Sequence, residues 1–147
     1  LYIPRLGPGW SRVVVEGVAP ADLKKGPGHY PGTALPGQVG NVGIAGHRAT
    51  NGEPFRDLDR LRPGDPVVLQ TADGYFTYTV DRRSVVLPTQ VDVLLPVPQR
   101  PGVAPTTSLL TLTTCEPRWA STYRLIVFAH LVGQQPVSAG PPAVLAG

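Results

Sequence analysis

A single cysteine, Cys115, closes the run Thr111-Leu112-Thr113-Thr114-Cys115, and an arginine, Arg124, follows nine residues later. The β-branched and apolar residues of that run fit a strand, which delivers its last side chain to the rim of a sheet, where it can be reached from outside. A thiol attacks as its thiolate, and a nearby imidazole favours that form as base or as cationic partner. An arginine guanidinium is a permanently charged planar fork, suited to holding an acyl oxygen while charge develops on it. Cysteine, histidine and arginine together are the parts of an acyl transfer through a thioester. Against this stands the bland reading of a lone cysteine, which is usually a buried and inert apolar residue.

Three histidines compete for the partner role: His29, His47 and His130. His130 lies six residues beyond Arg124 on the same expected strand. That is roughly 20 Å away at about 3.3 Å per residue, so it cannot share a site with Arg124. His29 sits in a glycine- and proline-rich loop, where it hydrogen-bonds backbone or faces solvent. His47 ends the short apolar run Val42-Gly43-Ile44-Ala45-Gly46, a strand-end setting similar to that of Cys115.

The elements that must position these residues are short strands. Alternation over 108–115 sends Leu110, Leu112 and Thr114 to one face and Leu109, Thr111, Thr113 and Cys115 to the other. Pro117 cannot donate to a ladder, so the strand stops at Cys115 or Glu116. Residues 123–131 read as the return strand, which brings Arg124 across a loop from Cys115. Arg118, in the turn itself, is the rival cation.

Elsewhere, residues 1–6 and 12–18 read as strands around Gly7-Pro8-Gly9, 21–25 as one helical turn and 42–46 as a buried strand. Phe55, Leu58 and Leu61 predict a short amphipathic helix over 53–61. A hairpin over 66–71 and 75–83 turns at Asp73-Gly74, and 85–87 continues or follows it as a strand. The prolines at 88, 96, 98, 101 and 105 predict a loop over 88–107, long enough to suggest function.

A chain of 147 residues is one domain by length. Its 18 prolines and 17 glycines punctuate apolar runs and form no low-complexity tract, as in an all-β fold of short strands. The net charge of +3 is scattered and makes no basic stripe with aromatic platforms, which excludes a nucleic-acid-binding surface. No apolar window approaches the roughly 18 residues of a membrane span, and no leader peptide opens the chain. Neither histidine nor acidic residues have metal-ligand spacing, so no metal and no cofactor are expected.

The Thr-Leu-Thr-Thr-Cys run, the offset to Arg124 and the segment Ala45-Gly46-His47-Arg48 resemble the sortases, cysteine transpeptidases of Gram-positive cell surfaces. Further matching stretches are Ile3-Pro4-Arg5-Leu6-Gly7, Val15-Glu16-Gly17-Val18 and Gly26-Pro27-Gly28-His29-Tyr30-Pro31-Gly32-Thr33. Pro54-Phe55-Arg56 and Leu61-Arg62-Pro63-Gly64-Asp65 complete the set, which runs from residue 3 to about residue 130. The His29-Tyr30-Pro31-Gly32-Thr33 run is most similar to the actinobacterial class E members.

The resemblance implies an all-β fold: a closed eight-stranded β-barrel with one or two short helices and long loops. Residues 1–132 are then the catalytic domain and 133–147 a poorly ordered Pro/Gly/Ala-rich tail. It assigns catalysis to His47, Cys115 and Arg124, and substrate binding to Thr113, Thr114, Glu116 and Asp57. Cys115 attacks the threonine carbonyl of a C-terminal LPXTG- or LAXTG-like sorting signal, His47 protonates the departing glycine amine, and Arg124 with a backbone N–H near Glu116 binds the oxyanion. A lipid II-type or pilin amine then resolves the thioester. The protein is expected to be a monomer at the outer face of the cell membrane, held by an anchor that precedes Leu1.

Some members similar to this chain carry a tyrosine, linked to the LAXTG signal, at the position matched by Asp57. Aspartate lacks its apolar body and phenolic donor, so discrimination between Ala and Pro signals is expected to stay within about tenfold. Two other readings remain: a cysteine peptidase that hydrolyses the same signal, and an inactive β-barrel binding module.

Overall fold

The strand that ends beside Cys115, Ser108–Glu116 (β6), is the fourth of seven in one curled sheet. The others are β1 (Val15–Glu16), β2 (Gly28–His29), β3 (Gly40–Ala45), β4 (Pro66–Thr71), β5 (Gly74–Val86) and β7 (Tyr123–Gln135). Their spatial order is β1-β2-β3-β6-β7-β5-β4. This computed structural model describes residues 1–116 and 122–146. β6 runs parallel to β3 and antiparallel to β7. The loop that brings Arg124 back therefore joins neighbours, whereas His47 is delivered by a strand distant in sequence.

Both faces of β6 are covered. Leu110 and Leu112 point into the main core with Val42 and Ile44 of β3, Val127 of β7, Val67 and Leu69 of β4, and Tyr78 of β5. On the other face Ile126 and Phe128 of β7 and Val86 of β5 form a smaller cluster with Val93 and Leu94 of the 88–107 loop. The period-two alternation expected for β6 is thus present, but the outer face is roofed by that loop.

Asn41 holds the roof down. Its amide nitrogen donates to the carbonyls of Val93 and Leu95 at 3.0 Å each, and its oxygen accepts from Thr111 Oγ1 at 2.8 Å. Arg82 adds a second tie, donating to Gln99 Oε1 at 2.8 Å while its guanidinium lies 4.1 Å from the Phe128 ring centre. Gly43 makes the close approach possible. A Cβ there would stand 3.0 Å from carbons of Leu94 and Tyr30, tighter than ordinary packing allows.

Several expectations are revised. The closed eight-stranded barrel is a seven-stranded sheet whose edge strand β4 is bridged to the N-terminal segment from Val68 to Tyr2, while Tyr2 bridges in turn to Ser11. The strand expected over 1–6 fails because Pro4 has no N–H for a ladder, and Pro4–Leu6 turns instead into a 3₁₀ helix. The strand over 12–18 shrinks to Val15–Glu16. No α-helix forms over 53–61. A 3₁₀ helix, Leu58–Arg60, stands there, and the three-residue spacing of Phe55, Leu58 and Leu61 suits that tighter period, burying all three completely.

Of the two arrangements open for 85–87, continuing the 75–83 strand or following it, the first is found, as far as Val86. β5 runs unbroken from Gly74 to Val86, bent by irregularities against β7 at Thr77/Tyr78 and Val80/Arg82. Pro20–Leu23 (α1) supplies the single helical turn, with Asp22 Oδ2 accepting from the Ala19 N–H at 3.2 Å. β7 continues to Gln135, and 3₁₀ turns follow at Val137–Ala139 and Ala143–Leu145. Among the described residues no helix is long and apolar enough to cross a membrane.

Candidate active site

Cys115 stands directly opposite Arg124 in the β6–β7 ladder. The hydrogen bonds on the other side of β6 fix how close that pair is. Thr113 O accepts from the Gly46 N–H at 3.1 Å, and Cys115 O accepts from Arg48 Nη1 at 3.1 Å. The main-chain groups of Thr113 and Cys115 therefore face β3 and the segment that follows it. By alternation, Cys115 and Arg124 occupy a non-hydrogen-bonded position of the antiparallel ladder, where opposed Cα atoms come within about 4.5 Å and side chains are closest. The partly exposed thiol and the partly exposed guanidinium share the outer face of the sheet with Thr113 and Ile126.

His47 arrives from β3. That strand pairs with β6 until Ala45 meets Thr113, and the chain is then stitched onward. Beyond the Gly46–Thr113 bond, Thr114 Oγ1 donates to Gly46 O at 2.8 Å, and the Phe55 N–H donates to His47 O at 3.0 Å. Asn41, Gly43 and Ala45 register with Leu109, Thr111 and Thr113. Continuing that alternation puts His47 on the same face as Cys115 and Arg124. Gly46 is required by packing, since a Cβ there would lie 2.7 Å from the ring of Phe55, which is fully buried.

The remaining expected site residues separate. Thr113 lies on the site face, its hydroxyl 2.9 Å from Tyr30 Oη. Thr114 lies on the opposite face, buried, with its hydroxyl committed to Gly46. Glu116 is opposite Tyr123 in the ladder, and alternation turns its main-chain N–H towards β7; its side chain and Arg118 lie outside the described residues. Asp57 lines a cleft with Leu6, Trp10 and Arg12.

The two other histidines are accounted for. His29 is buried, with Nδ1 2.7 Å from Glu16 Oε1 and Nε2 2.9 Å from Ala34 O and 3.0 Å from Thr33 Oγ1. It braces β1, β2 and the turn that carries Tyr30. His130 pairs with Asp81 at 2.6 Å, six residues along β7 from Arg124. A cavity of about 520 Å³ opens on the core side of β3, lined by Val14, His29, Val42, Ile44 and Leu69; it contains none of Cys115, His47 and Arg124. The three expected catalytic residues therefore stand outside that cavity.

Residue types alone missed Tyr30, Asn41 and Arg48. All three sat inside the recognised motifs, but only their tertiary partners show what they do. No group of three or more His, Cys, Asp or Glu among the described residues is placed to hold a metal.

The family profile described as Sortase domain matches residues 1–132. The chain is 45% identical over 124 residues to sortase SrtE1 of Streptomyces coelicolor, covering 80% of this chain and 35% of that protein. The structure of sortase E from Streptomyces avermitilis superposes with a TM-score of 0.88 at 50% identity, covering 98% of this chain and 93% of that one. Sortase E1 from Streptomyces coelicolor, solved with a tripeptide in its active site, gives a TM-score of 0.87 at 40% identity, covering 99% and 93%. With its paired Cys115 and Arg124 and with His47 delivered to the same face, the chain belongs to the sortase family, and its similarities are to class E members.

Proposed function

We propose that this chain is a cysteine transpeptidase that cleaves a C-terminal sorting signal between Thr and Gly and passes the acyl group to an amine. The observation that carries this is the placement of Cys115 opposite Arg124 in a narrow pair of the β6–β7 ladder, with His47 carried to that face by β3. Cys115 Sγ attacks the threonine carbonyl and the C–N bond to glycine breaks. His47 gives its proton to the departing amine, and a thioester remains on Cys115. An incoming amine attacks that thioester, His47 takes the amine proton, and Sγ leaves.

Arg124 is the charged donor for the oxyanion in both halves. The ladder geometry turns the Glu116 N–H towards Tyr123, so the larger share of that role falls to Arg124. The groove for the extended signal runs over the outer face of β6 and β7, walled by the loop that Asn41 anchors and by the turn bearing Tyr30. Asp57 lies in another cleft, so the choice of Ala or Pro in the signal falls to residues of these walls. The acceptor is a wall-precursor or pilin amine, and the enzyme works at the outer face of the cell membrane.

Mass spectrometry of the protein incubated with LPXTG and LAXTG peptides, with and without an oligoglycine amine, tests this. A thioacyl adduct on Cys115, absent in Cys115→Ala, and a peptide–amine product are expected. Hydrolysed peptide alone, with amine in excess, would establish the peptidase alternative. An unmodified Cys115 in all conditions would sink both.

A further inference from the structure

Arg48 follows His47 in sequence, yet its side chain ends at Cys115. It is 6% exposed, and each donor group of its fork is engaged. Nε donates to Arg56 O at 3.2 Å, Nη1 to Cys115 O at 3.1 Å, and Nη2 pairs with Asp59 Oδ1 at 3.3 Å. Three chain segments converge on one guanidinium: the loop carrying His47, the 3₁₀ segment after it, and the strand end carrying Cys115. Asp59 is itself held, since Arg83 donates to its carbonyl.

The place where this occurs gives the contact its meaning. The β3–β6 ladder ends at Ala45–Thr113, with one further main-chain bond from Gly46 to Thr113 O. The next carbonyl of β6 on that side is that of Cys115, and the donor it receives is the Arg48 side chain. A charged, planar donor takes over where the main-chain ladder stops, at the nucleophile itself.

We infer that Arg48 is a positioning residue that ties the backbone of Cys115 to the loop of His47. It thereby sets the separation of base and nucleophile and the presentation of Sγ to Arg124. The inference rests on the transpeptidase reading of Cys115, His47 and Arg124, and Arg48 touches neither substrate nor thiol in it. A buried arginine gives up its hydration, and the acceptors of a rigid fork compensate for that only in one geometry. The site is held accordingly. Lysine keeps the charge but has no fork to span Arg56, Cys115 and Asp59 at once.

The test compares wild type, Arg48→Ala and Arg48→Lys in the peptide-transfer assay, with folded fraction measured by near-UV circular dichroism. Displacement of reacting groups by about 1 Å costs on the order of a hundredfold in rate, so both variants are expected to lose about that much in kcat with KM within about twofold. Guanidinium ion at a concentration below the unfolding transition should restore part of the kcat of Arg48→Ala and none of that of Arg48→Lys, whose side chain fills the space. A kcat per folded molecule near wild type in either variant, or a loss in Arg48→Ala that guanidinium does not relieve, overturns the inference. If Arg48→Ala does not fold, Arg48→Lys decides by kcat against KM.

A second reading keeps this separate from the transpeptidase proposal. Alkylation of native Cys115 by iodoacetamide needs no peptide. A rate changed in Arg48→Ala and returned towards wild type by guanidinium supports the tether even if no sorting peptide is cleaved, and an unchanged rate counts against it.

Discussion

Cys115 and Arg124 face each other across β6 and β7 at a position where the ladder makes no hydrogen bond between them. Their side chains are therefore as close as two opposed strand residues can be, and the pair is fixed by register rather than by loop conformation. A one-residue slip of β7 would move Arg124 to the core face and bring Tyr123 or Leu125 opposite the thiol. The alternating core residues Leu125, Val127 and Ala129 on β7, buried with Leu110 and Leu112, oppose such a slip.

Arg124→Lys should lower kcat by about a hundredfold or more despite the retained charge, because an ammonium offers no planar fork to a developing oxyanion. KM should change far less. Steady-state kinetics with a sorting peptide checks this; a near-normal kcat would remove Arg124 from the oxyanion role.

Gly46→Ala should destabilise the fold by about 1–3 kcal/mol, the usual cost of adding a methyl to a filled core. The new Cβ would meet the Phe55 ring at 2.7 Å, and Phe55 has no exposed surface through which to retreat. Turnover should fall as well, since the strain is applied one residue before His47. Urea unfolding and peptide kinetics read the two effects; an unchanged midpoint would show that the ring has room to move.

Asn41→Leu should cost about 1–3 kcal/mol, because it leaves buried acceptors at Val93 and Leu95 and the Thr111 hydroxyl without their partner. It should also raise KM for the sorting peptide, since it unfastens the loop that we propose walls the groove. Equal KM values in wild type and variant, measured beside a lowered unfolding midpoint, would mean that this loop does not touch the signal.

Acid stability should depend on Arg5 and Asp65. Hydrogen bonds at 2.8 and 2.9 Å from the Arg5 guanidinium hold the Asp65 carboxyl below its ordinary value of 3.8, against burial that acts the other way. A carboxylate with a depressed folded pKa contributes stability that is present above 3.8 and is lost as pH falls through the folded pKa. Arg5→Ala should therefore be less stable than wild type at neutral pH, with the difference shrinking in acid. Urea midpoints of both proteins from pH 7 down to about pH 3 follow it; a difference that stays constant would sink the assignment.

The chemistry-bearing strand ends were legible in the sequence because they depend on local rules. Period-two alternation sorted Leu110 and Leu112 from Thr113 and Cys115, and the nine-residue offset across a proline-broken turn paired Cys115 with Arg124. The strand content of β3, β4, β5, β6 and β7 followed from β-branched runs and turn pairs in the same way. Residues 1–18 were misread because alternation there carried no information about whether a neighbour was available to complete a ladder. Pro4 removed one donor, and the main-chain pairing of that segment with β4 is the isolated bridge from Tyr2 to Val68.

What only the tertiary structure decided is which long-range partners the polar residues found. Thr113 and Thr114 are adjacent and chemically identical, yet one faces Tyr30 at the site and the other is consumed by Gly46, because strand register and not residue type chooses the face. Asn41 and Arg48 read as ordinary polar residues in a motif. They became a loop anchor and a clamp on Cys115 once sequence separations of more than fifty residues were closed by the parallel pairing of β3 with β6. A hydrogen bond between distant segments leaves no periodic trace in either of them, since its two ends are brought together by the packing of everything between.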